Sequence, residues 1–288
     1  MATTMRFSAS AAATAAAAVS IALSAAFWGG AASAQSMGDG GASMLGSPGR
    51  SAGFRDASAS GRVPYRRCRG EFYPVRVVYP QGFDGGGPVD RAVRAWAEAY
   101  VAEARATAPE NMDAYEESHR ENQGGCGGLS ERYYDVATGS PHRVSSRAAS
   151  VLFSYETDFG GIHPAMGFVA LNLASDGREL AVRDLFPDPA GSLPLLWARI
   201  FRDTCRGHDT APSLYGSPSC SRGVPPLPEV LSKAVKLEGL GNAYLTGRGL
   251  SMSLNPYDGW SFAEGGAQLD FSRNDLAAMG AAPGLWGR

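Results

Sequence analysis

Apolar and polar residues alternate in four stretches between residues 72 and 175, and this alternation predicts β-strands. In YPVRVVYP, for example, Val75, Val77 and Tyr79 share one face. The same two-residue period returns in SERYYDVATGS, AASVLFSYET and MGFVALNLAS. A turn signal at Asp176-Gly177 follows, and a short strand is predicted over residues 179–182.

Between the first two predicted strands lies a segment in which hydrophobic residues recur with the period of a helix. Val89, Val93, Trp96 and Tyr100 are spaced as i, i+4, i+7 and i+11, which places them on one face of a helix. Pro88 suits the first turn of such a helix, because its missing N–H has no partner there. We therefore expect a helix over residues 88–106 that packs on the sheet through this face.

The second half of the chain combines further helices and strands. The stretch LPLLWARIFRDTC predicts a helix with Leu196, Trp197, Ile200 and Phe201 facing inward. A short helix in PEVLSKAVKLEG, a hairpin in NAYLTGRGLSMSLNPY and a last strand in AQLDFS follow. Together these elements predict an α+β fold, with a mixed or antiparallel sheet and two to three packed helices.

The first 34 residues are typical of a secretory signal. Arg6 is their only charged residue, an alanine-rich apolar run follows, and Ala32-Ser33-Ala34 forms a small-residue cleavage site before Gln35. The alternative is an uncleaved membrane anchor, but serines and glycines interrupt the run and it is short for a span. We expect signal cleavage, no membrane span afterwards, and a periplasmic or secreted protein.

Composition separates a linker from the folded part. Residues 35–60 are rich in Gly, Ser and Ala and predict a disordered linker. The folded part is then expected at 61–288, as one α+β domain or as two halves at 61–145 and 146–288. Removal of Arg6 with the signal changes the formal net charge from −2 to −3, which gives no electrostatic argument for nucleic acid as a partner.

The four cysteines predict two disulfides, because an even number in an exported chain favours pairing. Three pairings are possible. We favour Cys205–Cys220 as a local clamp and Cys68–Cys126 in the first half. The sequence has no CxxC motif and its four histidines are scattered, so no metal site is predicted.

One candidate site is the loop DFGGIHP between the third and fourth predicted strands. Gly160 and Gly161 suit backbone angles that other residues resist, and Pro164 restricts the start of the next strand. His163 has three interpretations: a residue that holds a wide turn, a binding residue, or a catalytic base with Asp158 or Glu156. Catalysis is the least favoured, because no Ser or Cys nucleophile can be assigned to it.

A second candidate site is the loop within LNPYDGWSFAEGG. Pro256, Tyr257 and Trp260 belong to an aromatic cluster between two predicted strands. Such a cluster is either a small core or an interaction surface. The chain also lacks a nucleophile elbow, a phosphate-binding loop, a zinc-protease motif and a dinucleotide fingerprint. No cofactor is therefore predicted.

Three stretches, in this order, resemble the RsiV-type extracytoplasmic domain family, which is found in lysozyme-sensing anti-sigma factors and in a peptidoglycan deacetylase. They are YPVRVVYP with the helix after it, VLFSYETDFGGIHPAMGFVALNLASDGRELAVRDLF, and GLSMSLNPYDGWSFAEGGAQLDFSRNDL. The resemblance covers about residues 72–280 and implies an α+β fold and an association with the cell envelope. The sigma-binding segment, the membrane helix and the deacetylase domain of those architectures are not recognised here.

The favoured functional prediction is an exported, non-catalytic module that binds a lysozyme-like muramidase or peptidoglycan. This prediction follows from the resemblance and from the missing catalytic constellation. Two alternatives are an envelope hydrolase that uses His163 with a nearby carboxylate, and a structural envelope protein.

Overall fold

Strands from both predicted halves of the domain pair in a single five-stranded sheet in the computed structural model. The structure describes residues 53–61, 73–123, 134–158, 165–255, 258 and 267–287. Its first sheet contains β1 (Phe54–Gly61), β2 (Tyr73–Pro80), β3 (Tyr134–Arg143), β4 (Ala148–Asp158) and β5 (Ala165–Ala174). They are ordered β1-β2-β3-β4-β5; β2 and β3 run parallel, and the other neighbours are antiparallel.

A second, three-stranded antiparallel sheet follows later in the chain. It contains β6 (Ala243–Thr246), β7 (Gly249–Leu254) and β8 (Ala267–Ser272), in the order β6-β7-β8. The α-helices of the described residues are α1 (Pro88–Gln123), α2 (Val182–Leu185), α3 (Pro189–Thr204), α4 (Glu229–Ser232) and α5 (Arg273–Ala278). The predicted α+β class is confirmed. No helix in the described ranges has the length and apolar content needed to cross a membrane.

Helix α1 packs on one face of the first sheet, as its hydrophobic period predicts. The ring of Trp96 stacks on Phe153 of β4 with ring centroids 3.9 Å apart. The Tyr100 hydroxyl donates a 2.7 Å hydrogen bond to Asp135 of β3, and both residues are buried. This bond gives a buried carboxylate the partner that it needs in an apolar environment.

The second sheet is attached to the other face of the first through a buried polar contact. Asn172 of β5 donates to the Ala243 carbonyl at 2.7 Å. The N–H of Leu245 lies 3.1 Å from both the Ser150 hydroxyl oxygen and Asn172 Oδ1. Because these groups are removed from water, their mutual hydrogen bonds fix how β6 lies on β4 and β5.

A separate hydrophobic core lies beneath α3. Leu196, Trp197, Ile200 and Phe201 are all buried there, which confirms the predicted inward face of this helix. The indole N–H of Trp197 donates to the Pro225 carbonyl at 2.9 Å. A buried ring of this size thus packs in the core without leaving its polar atom unsatisfied.

The disulfide Cys205–Cys220 is present, as predicted, and joins the end of α3 to the short 3₁₀ helix Cys220–Arg222. It closes a loop whose two sides also pair through the Cys220 N–H and the Asp209 carbonyl at 2.8 Å. Cys68 and Cys126 lie outside the described residues, so their pairing stays a prediction.

The structure differs from the sequence prediction in three places. Residues 54–60 of the predicted linker pair with β2 as β1, because an edge strand can form through backbone hydrogen bonds without apolar side chains. Helix α1 continues to Gln123 rather than ending near residue 106. Residues 179–182 contribute only isolated bridges at Glu179 and Ala181 before α2 begins.

The division into two predicted halves falls at residue 145, in the turn between β3 and β4. These two strands pair along their whole length, from Tyr134 opposite Asp158 to Arg143 opposite Ala149. Residues 48–288 form one compact unit.

Candidate functional site

The residues predicted for the two candidate loops lie outside the described part of the chain. They are Gly160, Gly161, His163, Pro164, Pro256, Tyr257 and Trp260. Their roles stay predictions, including the choice between a small core and an interaction surface around Trp260. The segments that border both loops are described, however, and show where the loops begin and end.

The segments that border the two loops meet at the outer edge of β5. The first loop leaves β4 at Asp158 and returns at Ala165, three residues before Phe168. The second loop follows β7, and its first residue is Asn255. The backbone N–H of Phe168 donates to Asn255 Oδ1 at 2.6 Å. The segment that follows the first loop therefore lies next to the residue that begins the second, although the two are distant in the sequence.

Asn255 also organises the start of the second loop. The Asp258 N–H donates to the Asn255 carbonyl at 3.0 Å, the bond that closes a four-residue turn. The Asp258 carbonyl in turn accepts from the Leu214 N–H at 2.9 Å, which anchors the turn to the disulfide-closed region.

Asp258 is a half-buried carboxylate that the sequence alone did not single out. Burial raises its pKa, although hydrogen bonds from the Asn255 side chain and backbone act in the opposite direction. Burial, and then the negative charge of Asp258 and Asp135, raise the pKa of Tyr155. The raised pKa values favour the protonated forms of both groups.

Next to this edge, part of the first sheet is accessible to solvent. Along each strand, side chains alternate between the buried α1 side and the opposite side. On that opposite side, the row formed by His142, Ser150 and Asn172 is covered by β6. Two further rows on the same side are exposed or half-exposed.

We call these two rows the open face. The strand register aligns them as Arg76, Val136, Glu156 and Met166 in one row, and Val78, Thr138, Ser154 and Phe168 in the other. The first row ends beside the loop of residues 159–164, because Met166 follows that loop by two residues. The second row ends at Phe168, where Asn255 binds. The open face is thus bordered by the segments that lead into both motif loops.

The chemistry of the open face is mixed and nearly neutral. Met166 is 51% exposed and is among the few large apolar side chains exposed in the described residues. Thr138 and Ser154 present hydroxyl groups, while the charge of Arg76 is compensated by Asp56 at 3.0 Å. The open face therefore presents an apolar side chain, hydroxyl groups and a compensated charge side by side.

Of the residues that the catalytic alternative requires, one is described and lies on the open face. Glu156 lies in the first row between Val136 and Met166, whereas His163 and the Asp158 side chain are outside the described residues. Among the residues that the structure describes, no cluster of three His, Cys, Asp or Glu side chains could hold a metal ion. The sequence signal for the open face was present in the alternating pattern, but only the register shows which polar positions lie side by side.

Comparisons with known proteins give a likeness of fold only. No family model matches the chain, and no curated protein matches it. It is similar to the crystal structure of a DUF3298 family member from Bacteroides fragilis, with a TM-score of 0.49 and 13% identity, covering 80% of this chain and 94% of that one. A DUF3298 family protein from Pseudomonas aeruginosa gives a TM-score of 0.41 and 14% identity, covering 82% and 98%. The resemblance to the RsiV-type family stays a prediction from the sequence.

Proposed function

We propose that this protein is an exported, non-catalytic binding module of the cell envelope, and that its partner is a lysozyme-like muramidase or peptidoglycan. The observation that carries the proposal is the open face, which is bordered by the segments leading into both motif loops. The partner classes come from the sequence resemblance to the RsiV-type family. The geometry supports the proposal because the described segments that lead into both motifs border one surface on which a partner could be held.

The open face suits a large partner rather than a small substrate. Its rows cross four strands, and neighbouring strands lie about 4.8 Å apart, so each row extends over about 14 Å. When a partner removes exposed apolar side chains such as Met166 from water, the free energy of the complex is lowered. The formal charge of −3 after signal removal adds only a modest attraction for a basic muramidase.

Binding assays with both partner classes test the proposal. The mature protein is immobilised and exposed to purified lysozyme-like muramidases, and it is separately incubated with insoluble peptidoglycan and sedimented. Retention of one of them at micromolar concentration is the expected result. Retention of neither would contradict the proposal and would favour the structural alternative.

One observation is consistent with the hydrolase alternative: Glu156 lies in the row that ends beside the loop containing His163. The variant His163→Ala distinguishes hydrolysis from binding. If the protein degrades peptidoglycan and this variant abolishes the degradation without loss of the folded state, the catalytic interpretation replaces the proposed one. We expect no degradation by either protein.

A further inference from the structure

The first sheet ends at β1, and no strand in the described part of the chain pairs with the outer side of β1. The Gln81 N–H donates to the Gly53 carbonyl at 2.8 Å, so the backbone groups of Gly53 point toward β2. This direction alternates along an antiparallel pair. The N–H and C=O groups that point away from β2 therefore belong to Phe54, Asp56, Ser58 and Ser60.

The opposite edge of the same sheet is different, because described residues occupy it. On the outer side of β5, the Phe168 N–H donates to the Asn255 side chain at 2.6 Å. Farther along this strand, the Asn172 carbonyl accepts from the Leu180 N–H at 2.8 Å. Of the two edges, β1 is thus the one at which the sheet can be extended.

The sequence of β1 has few of the features that protect an edge strand from further pairing. Protected edges are usually short, bulged, or marked by proline or lysine. In contrast, β1 (FRDASASG) has eight residues, contains neither proline nor lysine, and pairs with β2 residue for residue without a bulge. Its acidic side chain, Asp56, is compensated by Arg76 at 3.0 Å. The edge is therefore suited to accept another strand.

We propose that β1 pairs in antiparallel orientation with β1 of a second copy of this chain, around a two-fold axis at Ala57. The four residues with outward backbone groups are centred on Ala57, so this axis brings all of them into the pairing. Phe54 then lies opposite Ser60 of the second copy, and Asp56 lies opposite Ser58. Two five-stranded sheets thereby form one sheet of ten strands.

Other registers of the same pairing are less favourable. An axis at Asp56 would place the two Asp56 carboxylates directly opposite each other, and like charges in this position are destabilising. An axis at Ser58 would leave Phe54 without a counterpart in the strand. The axis at Ala57 avoids both problems.

A second copy fits this edge better than an unrelated extended peptide does. Sheet edges that select foreign peptides use pockets for alternate side chains of the peptide. Residues 57–61 are Ala, Ser, Ala, Ser and Gly, whose side chains are too small to form such pockets. An identical strand needs no pocket, because a two-fold axis makes one surface complementary to itself.

The inference goes beyond the proposed function and has a consequence for it. Asp56 lies opposite Val78 and Ser58 opposite Arg76, so both rows of the open face continue onto β1. A two-fold axis perpendicular to the sheet places the open faces of both copies on the same side. A partner with repeating units would then contact two open faces at once and bind more tightly. This consequence rests on the proposed function, whereas the pairing of β1 does not.

Self-association of the mature protein, measured without any partner by sedimentation equilibrium, tests the pairing. Because a strand edge is a small interface, the measurement extends from about 1 µM to about 500 µM. We expect a reversible dimer. Ser58→Pro removes an outward N–H, a change that edge strands tolerate, and should weaken the dimer about tenfold or more. Ser58→Ala retains the N–H and should associate as the parent protein does.

Cysteine cross-linking tests the register and does not depend on the proline variant. Across the proposed axis the two Ala57 Cα atoms are about 4.5 Å apart, which is within disulfide range. The two Ala59 Cα atoms are about 14 Å apart, because four residues separate them along the strands. Under mild oxidation, Ala57→Cys should therefore form a covalent dimer and Ala59→Cys should not.

Three results would overturn the inference. The first is a parent protein that stays monomeric over the whole concentration range. The second is a folded Ser58→Pro variant that dimerises as strongly as the parent. The third is a yield of covalent dimer from Ala57→Cys that is no higher than the yield from Ala59→Cys.

Discussion

The side chain of Asn255 accepts a hydrogen bond from the backbone of Phe168 across 87 residues of sequence, at 2.6 Å. Phe168 lies in the edge strand of the first sheet, and Asn255 directly follows β7 of the second. The same asparagine donates to the half-buried Asp258 carboxylate. One side chain thus links the two sheets and fixes the start of the second motif loop.

Replacement of this asparagine should destabilise the protein. Asn255→Ala leaves the Phe168 N–H and the Asp258 carboxylate without the side-chain partner, and unsatisfied groups of this kind cost about 1–3 kcal/mol each. We expect the free energy of unfolding in urea to fall by about 2 kcal/mol. Asn274→Ala, at an exposed position of α5, is the control and should change it by less than about 0.5 kcal/mol. Equal values for the two variants would contradict this role of Asn255.

Much of the fold follows from local sequence patterns. The helix face of Val89, Val93, Trp96 and Tyr100 is buried as predicted, because a 3.6-residue period leaves no other way to remove these side chains from water. The short separation of Cys205 and Cys220 favours the disulfide that the structure contains. Both features depend on residues that are close in the sequence.

The parts that the sequence did not predict depend on pairing between distant segments. Strand β1 has a polar sequence, FRDASASG, and is formed through its backbone bonds to β2. The open face required the register of β2 to β5, and the contact between Phe168 and Asn255 required the arrangement of two sheets. Hydrophobic alternation shows that a residue faces away from the core, but not which other residues lie beside it.

The glycine at position 167 makes space for a tyrosine ring. A Cβ built on Gly167 would lie 2.5 Å from the Tyr155 hydroxyl oxygen and 2.6 Å from the ring carbon that bears it. Gly167→Ala should therefore displace the ring and lower the free energy of unfolding by about 1–3 kcal/mol. Gly207→Ala is the matched control, since nothing lies within 4 Å of its added Cβ. In a protein that also carries Tyr155→Leu, Gly167→Ala should lower the free energy of unfolding by less. If the losses of the two single variants simply add in the double variant, the steric explanation is contradicted.

His142 should make the stability depend on pH. Its Nε2 atom is buried and has no hydrogen-bond partner among the described residues. Its ring lies 4.9 Å from that of Tyr244, and burial lowers its pKa. The unfolded chain then takes up the proton first, so stability is fully present above about pH 6.5 and declines as the pH falls below it. The free energy of unfolding should therefore decline less steeply between about pH 7 and pH 5 in His142→Leu than in the parent protein. His208→Gln is the reference, and identical pH dependence in all three proteins would exclude this role of His142.

The disulfide should contribute measurable stability. Cys205 and Cys220 are 15 residues apart, and closing a loop of this size is worth about 3 kcal/mol in the chain-entropy account. Cys205→Ala with Cys220→Ala should lower the free energy of unfolding by about that amount. A peptide map without reduction should show these two cysteines linked, together with the predicted Cys68–Cys126 pair. A stability equal to that of the parent protein would contradict the clamping role.

The central claim is that the partner is held on the open face, and one affinity comparison tests it most directly. Ser154 is exposed in the middle of that face, between Thr138 and Phe168, so Ser154→Arg places a bulky charge there without filling a core position. Gln268→Arg makes a related change at an exposed position of β8. The account predicts that Ser154→Arg weakens the retained muramidase or peptidoglycan about tenfold or more, while Gln268→Arg binds as the parent does. Unchanged affinity in a folded Ser154→Arg variant would contradict it.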